Sequence, residues 1–145
     1  MSEPSRITIG EFETLLRSTI ANIDEYPCTV VSLGWGEAVL RLGYRESQLR
    51  AGGTLSGPTM MTLADTALYA AVLTRIGLVP LAVTSDLNIR FLRKPEPRAL
   101  VARAQVLRLG RRQAVGTIEI ASEGDEQGVL GESLVAHATG TYALP

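Results

Sequence analysis

From residue 58 to residue 76 apolar side chains occupy most positions: Met60, Met61, Leu63, Ala64, Ala67, Leu68, Ala70, Ala71, Val72, Leu73 and Ile76 among them. The polar interruptions Thr62, Asp65, Thr66 and Tyr69 lie three, four and seven positions from the first. On a helix that spacing collects them into one narrow stripe. The pattern predicts a helix over 58–76. Gly57-Pro58 suits its start, because proline at the first helical position has no needed N–H to lose, and Gly77 suits its stop. A helix apolar on every other face is buried, and a carboxylate on it must be paired, hydrogen-bonded or neutralised. A capped or salt-bridged structural aspartate is the plain reading of Asp65. Two features favour chemistry. The stripe faces something other than core, and the helix start offers exposed backbone N–H groups to negative charge.

Before this helix, Thr8-Ile9-Gly10-Glu11 has the form of a capping box. Phe12, Leu15, Leu16, Ile20 and Ile23 follow at helical spacing, which predicts an amphipathic helix over 9–22. Two short β-rich runs, 28–33 and 37–42, flank Gly34-Trp35-Gly36 and read as a hairpin. Residues 44–56 read as a loop. After Gly77 the period changes to two. The run 82–92 places Val83, Ser85, Leu87, Ile89 and Phe91 on one face and Thr84, Asp86, Asn88 and Arg90 on the other. Pro95 and Pro97 end it. Runs at 100–109, 113–121 and 129–143 with short links predict an antiparallel meander. The long helix can bury its circumference only against the concave side of that sheet.

A chain of 145 residues is one domain's worth, 1–145, long enough for a core. The formal net charge of −1 gives no electrostatic case for nucleic acid or an acidic membrane surface. One cysteine, Cys28, excludes an internal disulfide and suits a reducing compartment, so a cytoplasmic protein is expected. No signal-peptide pattern or membrane span is read in the sequence. One histidine and one cysteine cannot build a zinc site, and neither metal nor cofactor is expected. His137 lies mid-strand, in phase with Thr139 and Thr141, and reads as a sheet residue. Trp35 reads as a packing residue over its hairpin.

Several segments, in order and at consistent separations, carry a resemblance: Gly57 with Asp65 inside Leu63-Ala64-Asp65-Thr66-Ala67, then Ala82 to Arg93, then Gly110-Arg111-Arg112, then Val135 to Tyr142. Over about 48–143 the chain resembles the hotdog-fold acyl-CoA thioesterases of the PaaI type, from phenylacetate degradation. The resemblance implies an α+β hotdog fold, a long central helix wrapped by an antiparallel sheet, here with an extra N-terminal helix. In that family the helix opens with His-Gly-Gly, and a carboxylate follows nine residues after the histidine. Carried over, Gly57 becomes the backbone donor to the thioester oxyanion and Asp65 the nucleophile or general base. Thr84 falls where a strand hydroxyl helps hold water. Ser56 and Pro58 stand where the family has histidine and its second glycine. Arg50 stands where some relatives carry asparagine near the thioester. Ser56, Pro58, Arg50 and Thr66 are therefore expected around the substrate, with Arg111 and Arg112 as candidate partners for coenzyme A phosphates.

Thioester hydrolysis needs a donor aimed at the developing oxyanion and a base or nucleophile beside the carbonyl carbon. Eight residues of helix, roughly 12 Å of axis, separate Gly57 from Asp65. Two antiparallel helices from paired subunits would bring the Gly57 of one against the Asp65 of the other, so a homodimer or a dimer of dimers is expected. Three functions follow: an acyl-CoA thioesterase working without metal, a non-catalytic acyl-CoA-binding protein, and a dehydratase or hydratase. The last needs a histidine at the site, and Ser56 argues against it.

Overall fold

The computed structural model describes residues 3–19, 27–44, 49–50, 54–125 and 133–145, with backbone alone at 49–50 and 54–55. Helix α1 spans Ile9–Thr19. Its capping box forms as the sequence requires: Thr8 N donates to Glu11 Oε1 at 2.9 Å and Glu11 N to Thr8 Oγ1 at 3.1 Å. The predicted last turn, 20–22, lies outside the described residues. Strands β1 (Cys28–Gly34) and β2 (Glu37–Leu42) form the expected hairpin, turned at Gly36 with φ 73°. The reading of 44–56 as loop needs correction, because β3 (Leu49–Arg50) and β4 (Thr54–Leu55) pair antiparallel within it. Two-residue strands are too short to show any periodicity.

Helix α2 covers Gly57–Ile76. Ser56 is its N-cap, with Oγ accepting from Thr59 N at 3.2 Å, and Gly77 closes it by donating to Leu73 O at 2.8 Å. Strands β5 (Val83–Phe91), β6 (Leu100–Leu109), β7 (Gln113–Ser122) and β8 (Leu134–Ala143) follow. The last strand was expected from 129, but 129–132 lie outside the described residues. One six-stranded antiparallel sheet runs in the order β1-β2-β6-β7-β8-β5, so the predicted meander sits at its centre. This is the expected hotdog fold, one sheet curled around one long helix.

Small residues decide how closely the helix lies on the sheet. The inward-facing positions of β6 are Leu100, Ala102 and Ala104, and those of β8 include Ala136 and Ala138, all buried. Opposite them α2 presents Ala64, Ala67, Ala70 and Ala71, fully buried. Gly116 and Gly140 pair across β7 and β8 beneath Leu68. A Cβ at 116 would fall 2.5 Å from Leu68 Cδ1 and 2.6 Å from Gln105 O, so only glycine lets the helix approach this far.

The alternation read over 82–92 also needs correction. A register shift between Thr84 and Asp86 marks a bulge at Ser85. Before the bulge Thr84 points to α2, where its hydroxyl meets Asp65. Beyond it Leu87 packs on the same buried side. Strict alternation puts these two side chains on opposite faces. The extra residue puts them on one.

Candidate active site

Asp65 lies midway along α2, half-buried. Its Oδ1 accepts two hydrogen bonds, from Thr84 Oγ1 at 2.7 Å and from the Tyr142 hydroxyl at 2.7 Å. That hydroxyl also stands 3.1 Å from the main-chain oxygen of Asp65. Burial pushes the Tyr142 phenol far above its ordinary range, and the Asp65 charge adds to the shift. Tyr142 therefore keeps its proton and serves as donor. Among the described residues nothing is bonded to Oδ2 of Asp65. One carboxylate oxygen is anchored and the other is available.

Aromatic packing holds this anchor. The Tyr142 ring stacks on Tyr69, with centroids 5.5 Å apart and planes 13° from parallel. Tyr69 in turn meets Phe12 of α1 at 5.8 Å, tilted by 60°. Such pairs are worth about 0.5–1.5 kcal/mol beyond their burial. Burial raises the Tyr69 phenol as well. Beside these rings opens a chamber of about 300 Å³, walled by α1, α2 and the start of β5, with Asp65, Thr66, Tyr69, Thr84 and Tyr142 on its lining.

The other expected site residues fall into groups. Gly57 is the first residue of α2, so its N–H has no partner within the helix. The Phe91 ring lies 3.2 Å from where a Cβ on residue 57 would be, so a side chain there would press on that ring. Ser56 turns its hydroxyl back onto the helix, 2.8 Å from Thr59 Oγ1 as well as capping Thr59 N. Pro58 sits exposed in the first turn. Thr66 is buried and donates to Thr62 O at 2.7 Å. Thus Asp65, Thr66 and Thr84 come together, while Gly57, Ser56 and Pro58 stand about two turns away along α2. Arg111 and Arg112 are exposed at the β6–β7 turn, next to Gln113, which pairs with Ala143 just past Tyr142. They share the sheet end at which Tyr142 meets Asp65. Arg50 lies in β3, and its side chain lies outside the described residues.

His137 is on the convex face, opposite Glu119 and Arg90, across the sheet from α2. Arg6 and Arg75 set their guanidinium carbons 5.5 and 4.5 Å from the Trp35 ring centroid. Sequence reading missed Tyr142 as a partner of Asp65. A signal existed: Ala136, Ala138, Gly140 and Tyr142 share the inward phase of β8, and a phenol ending such a row needs an acceptor. Among the described residues no group of three His, Cys, Asp or Glu side chains could hold a metal ion, and no helix is long and apolar enough to cross a membrane.

A carboxylate held by one oxygen, its other oxygen unbonded among the described residues, on the lining of a largely apolar chamber, can act as a nucleophile or general base. Comparison with known proteins identifies the family. The sequence matches the Thioesterase superfamily over residues 52–129. A solved structure from Silicibacter sp. TM1040, assigned as a thioesterase, is 38% identical, covering 97% of this chain and 94% of its own, with a TM-score of 0.82. A variant of the phenylacetic acid degradation protein PaaI from Thermus thermophilus is 31% identical over 85% of this chain and 97% of its own, with a TM-score of 0.71. The E. coli PaaI protein of the phenylacetic acid degradation operon is 25% identical over 94% of this chain and 93% of its own, with a TM-score of 0.78. No curated protein sequence matches significantly.

Proposed function

The chain belongs to the thioesterase superfamily, and from that premise we propose that it hydrolyses an acyl-CoA or aryl-acyl-CoA thioester to the free acid and coenzyme A without a metal. The observation that carries this reading is the carboxylate of Asp65, fixed through Oδ1 by Thr84 and Tyr142 with Oδ2 unbonded among the described residues. A water molecule poised against Oδ2 gives up a proton to it as the water oxygen attacks the thioester carbonyl carbon. The carbonyl π electrons move to oxygen, and that oxyanion accepts a hydrogen bond from the Gly57 N–H. Collapse restores the carbonyl and expels the coenzyme A thiolate, which takes the proton from Asp65. Direct attack by Oδ2 would instead give an acyl-enzyme anhydride, opened by water in a second step.

Gly57 and Asp65 sit eight positions apart on one helix, roughly 12 Å along its axis. In this reading the oxyanion donor comes from the partner subunit of a homodimer, itself able to pair into a dimer of dimers. The edge strand β5 supports that assembly, since Val83 and Phe91 are 56% and 50% exposed there and, among the described residues, no strand pairs with its outer edge. Arg111 and Arg112, at the same sheet end as Tyr142, are the proposed grips for coenzyme A phosphates. A cytoplasmic setting fits that substrate. One observation favours the second reading, a non-catalytic acyl-CoA-binding protein: the Ser56 hydroxyl is engaged in the helix cap, so position 56 offers no free acid.

Co-refolding of two inactive variants tests the catalytic reading. Asp65→Asn should lower hydrolysis by several orders of magnitude with acyl-CoA binding retained. Gly57→Pro should lower it about 10²–10³-fold, once circular dichroism shows an intact helix. Mixed dimers would hold one doubly damaged site and one intact site, recovering up to roughly a quarter of wild-type activity on random pairing. No recovery despite subunit exchange means that the two groups do not act across a subunit boundary.

A further inference from the structure

We propose that the chamber beside Asp65 holds the acyl group as a bare hydrocarbon chain, and that Leu16 and Thr19 of α1 form its end wall and set the chain length accepted. This rests on the acyl-CoA reading above and names the class of acyl group. The placement follows from the order of residues along the elements. Asp65 and Thr66 enter the lining from α2, and Tyr69 enters one turn further on. Pro80, Ala82 and Val83 lead from the segment after α2 into Thr84. The chamber thus runs from the carboxylate toward the C-terminal half of α2, away from Gly57. Leu16 and Thr19 border it from α1.

The wall chemistry selects against polar acyl groups. Each hydroxyl on the lining already has a protein acceptor. Thr84 and Tyr142 donate to Asp65, Thr66 to Thr62 O at 2.7 Å, and Thr19 to Leu15 O at 2.8 Å. The Tyr69 hydroxyl makes the longest bond, 3.5 Å to Pro80 O. Among the described residues the lining offers no donor without an acceptor, so an acceptor atom placed beyond reach of Asp65 and Tyr69 would enter at a desolvation cost of about 1–3 kcal/mol. A volume of about 300 Å³ is at the small end of ligand pockets, which span roughly 300–1,000 Å³. It suits a short or medium chain lying wholly within it while α1 stays in place. Three contacts keep it there: Phe12 against Tyr69, the Val30 N–H bonded to Glu13 Oε2 at 3.3 Å, and the Arg6 N–H bonded to Thr74 O at 2.8 Å.

The test is a kcat/KM profile over straight-chain acyl-CoAs from acetyl to palmitoyl, with ω-hydroxyoctanoyl-CoA against octanoyl-CoA. The wild-type protein should show one optimum at hexanoyl or octanoyl and disfavour the hydroxylated chain by about tenfold or more. Thr19→Trp places bulk at an exposed position and spares the core. It should lower the octanoyl-to-butanoyl ratio by at least about tenfold. Leu16→Ala should move the optimum toward decanoyl or dodecanoyl, provided that its melting transition stays cooperative. Leu107→Ala, at a side chain 62% exposed on β6 and outside the chamber, should leave the optimum in place. A profile unmoved by Thr19→Trp, or equal use of the hydroxylated chain, overturns the inference. Binding of non-hydrolysable acyl-CoA thioethers separates it from the catalytic reading. Length-dependent binding shifted by Thr19→Trp, without turnover of any ester, would sink hydrolysis and keep the chamber. Neither binding nor turnover would sink both.

Discussion

The two halves of α2 solve one problem differently. Near its C-terminal end Thr74 is fully buried, accepts the Gly36 N–H at 2.8 Å and donates to Ala71 O at 2.6 Å. Next to it Arg75 lies over Trp35, and the Arg6 backbone closes on Thr74 O. Apart from the bond to Ala71 O within the helix, these contacts tie the β1–β2 turn and the N-terminal segment to α2. About two and a half turns earlier Asp65 is also held by two donors, but only at one oxygen, and it lines a chamber. Burying a polar group requires partners in both places. The difference is what is left over. Around Thr74 the hydroxyl's bonds close within the fold, whereas at Asp65 one acceptor remains for a ligand.

The comparison breaks first at Tyr142. If its hydroxyl fixes the Asp65 carboxylate for chemistry, Tyr142→Phe removes a hydrogen bond to a charged group worth about 1.5–3 kcal/mol. Should that bond matter fully in the transition state, kcat falls about 10- to 100-fold, with KM little changed. Thr84→Val removes the other donor to the same oxygen and should act alike, and the double variant should fall short of the product of the two because they share one acceptor. A lower melting temperature with unchanged kcat in Tyr142→Phe would make Tyr142 a packing residue, and the two halves of α2 would then be alike.

Asp65 and its stripe were legible because helical spacing is local, and so was the meander, whose strands are long and joined by short turns. What lay beyond reach was non-local. Tyr142 meets Asp65 across 77 positions of sequence, and strand alternation says which face it occupies but not which helix residue lies opposite. Thr84 was found through resemblance, although its alternation placed it on the face opposite Leu87. The Ser85 bulge corrects that, and a single extra residue in a strand leaves no mark on a period-two pattern. The first helix was read correctly as an element and given no role, since nothing in its own residues shows that Leu16 and Thr19 border the chamber.

A second substitution sharpens the structural half. Thr74→Val is nearly isosteric and leaves the Gly36 N–H buried without its acceptor. The expected loss is about 1–3 kcal/mol, or a melting temperature lower by about 3–10 °C. Turnover per folded molecule should not change, because Thr74 touches neither Asp65 nor the chamber. Loss of activity at a temperature where the variant is fully folded would show that the two halves of the helix are coupled.

The smallest effect concerns residue 56, where structure and chemistry compete for one side chain. Serine caps α2 by accepting from Thr59 N, and its φ of −76° and ψ of 154° are those of an N-cap. Histidine caps poorly, so Ser56→His should cost about 0.5–2 kcal/mol of stability. The imidazole would also stand where the PaaI-type pattern has one, next to the proposed oxyanion donor Gly57, and could carry positive charge near neutral pH. The expected result is a modestly lower melting temperature with turnover preserved or raised. That outcome would mean serine was retained here for the helix start, with the chemistry left to Gly57 and Asp65. If the folded variant is inactive, the helix start has been rebuilt around the cap, and the N-terminal turn of α2 belongs with Thr74, on the side of structure.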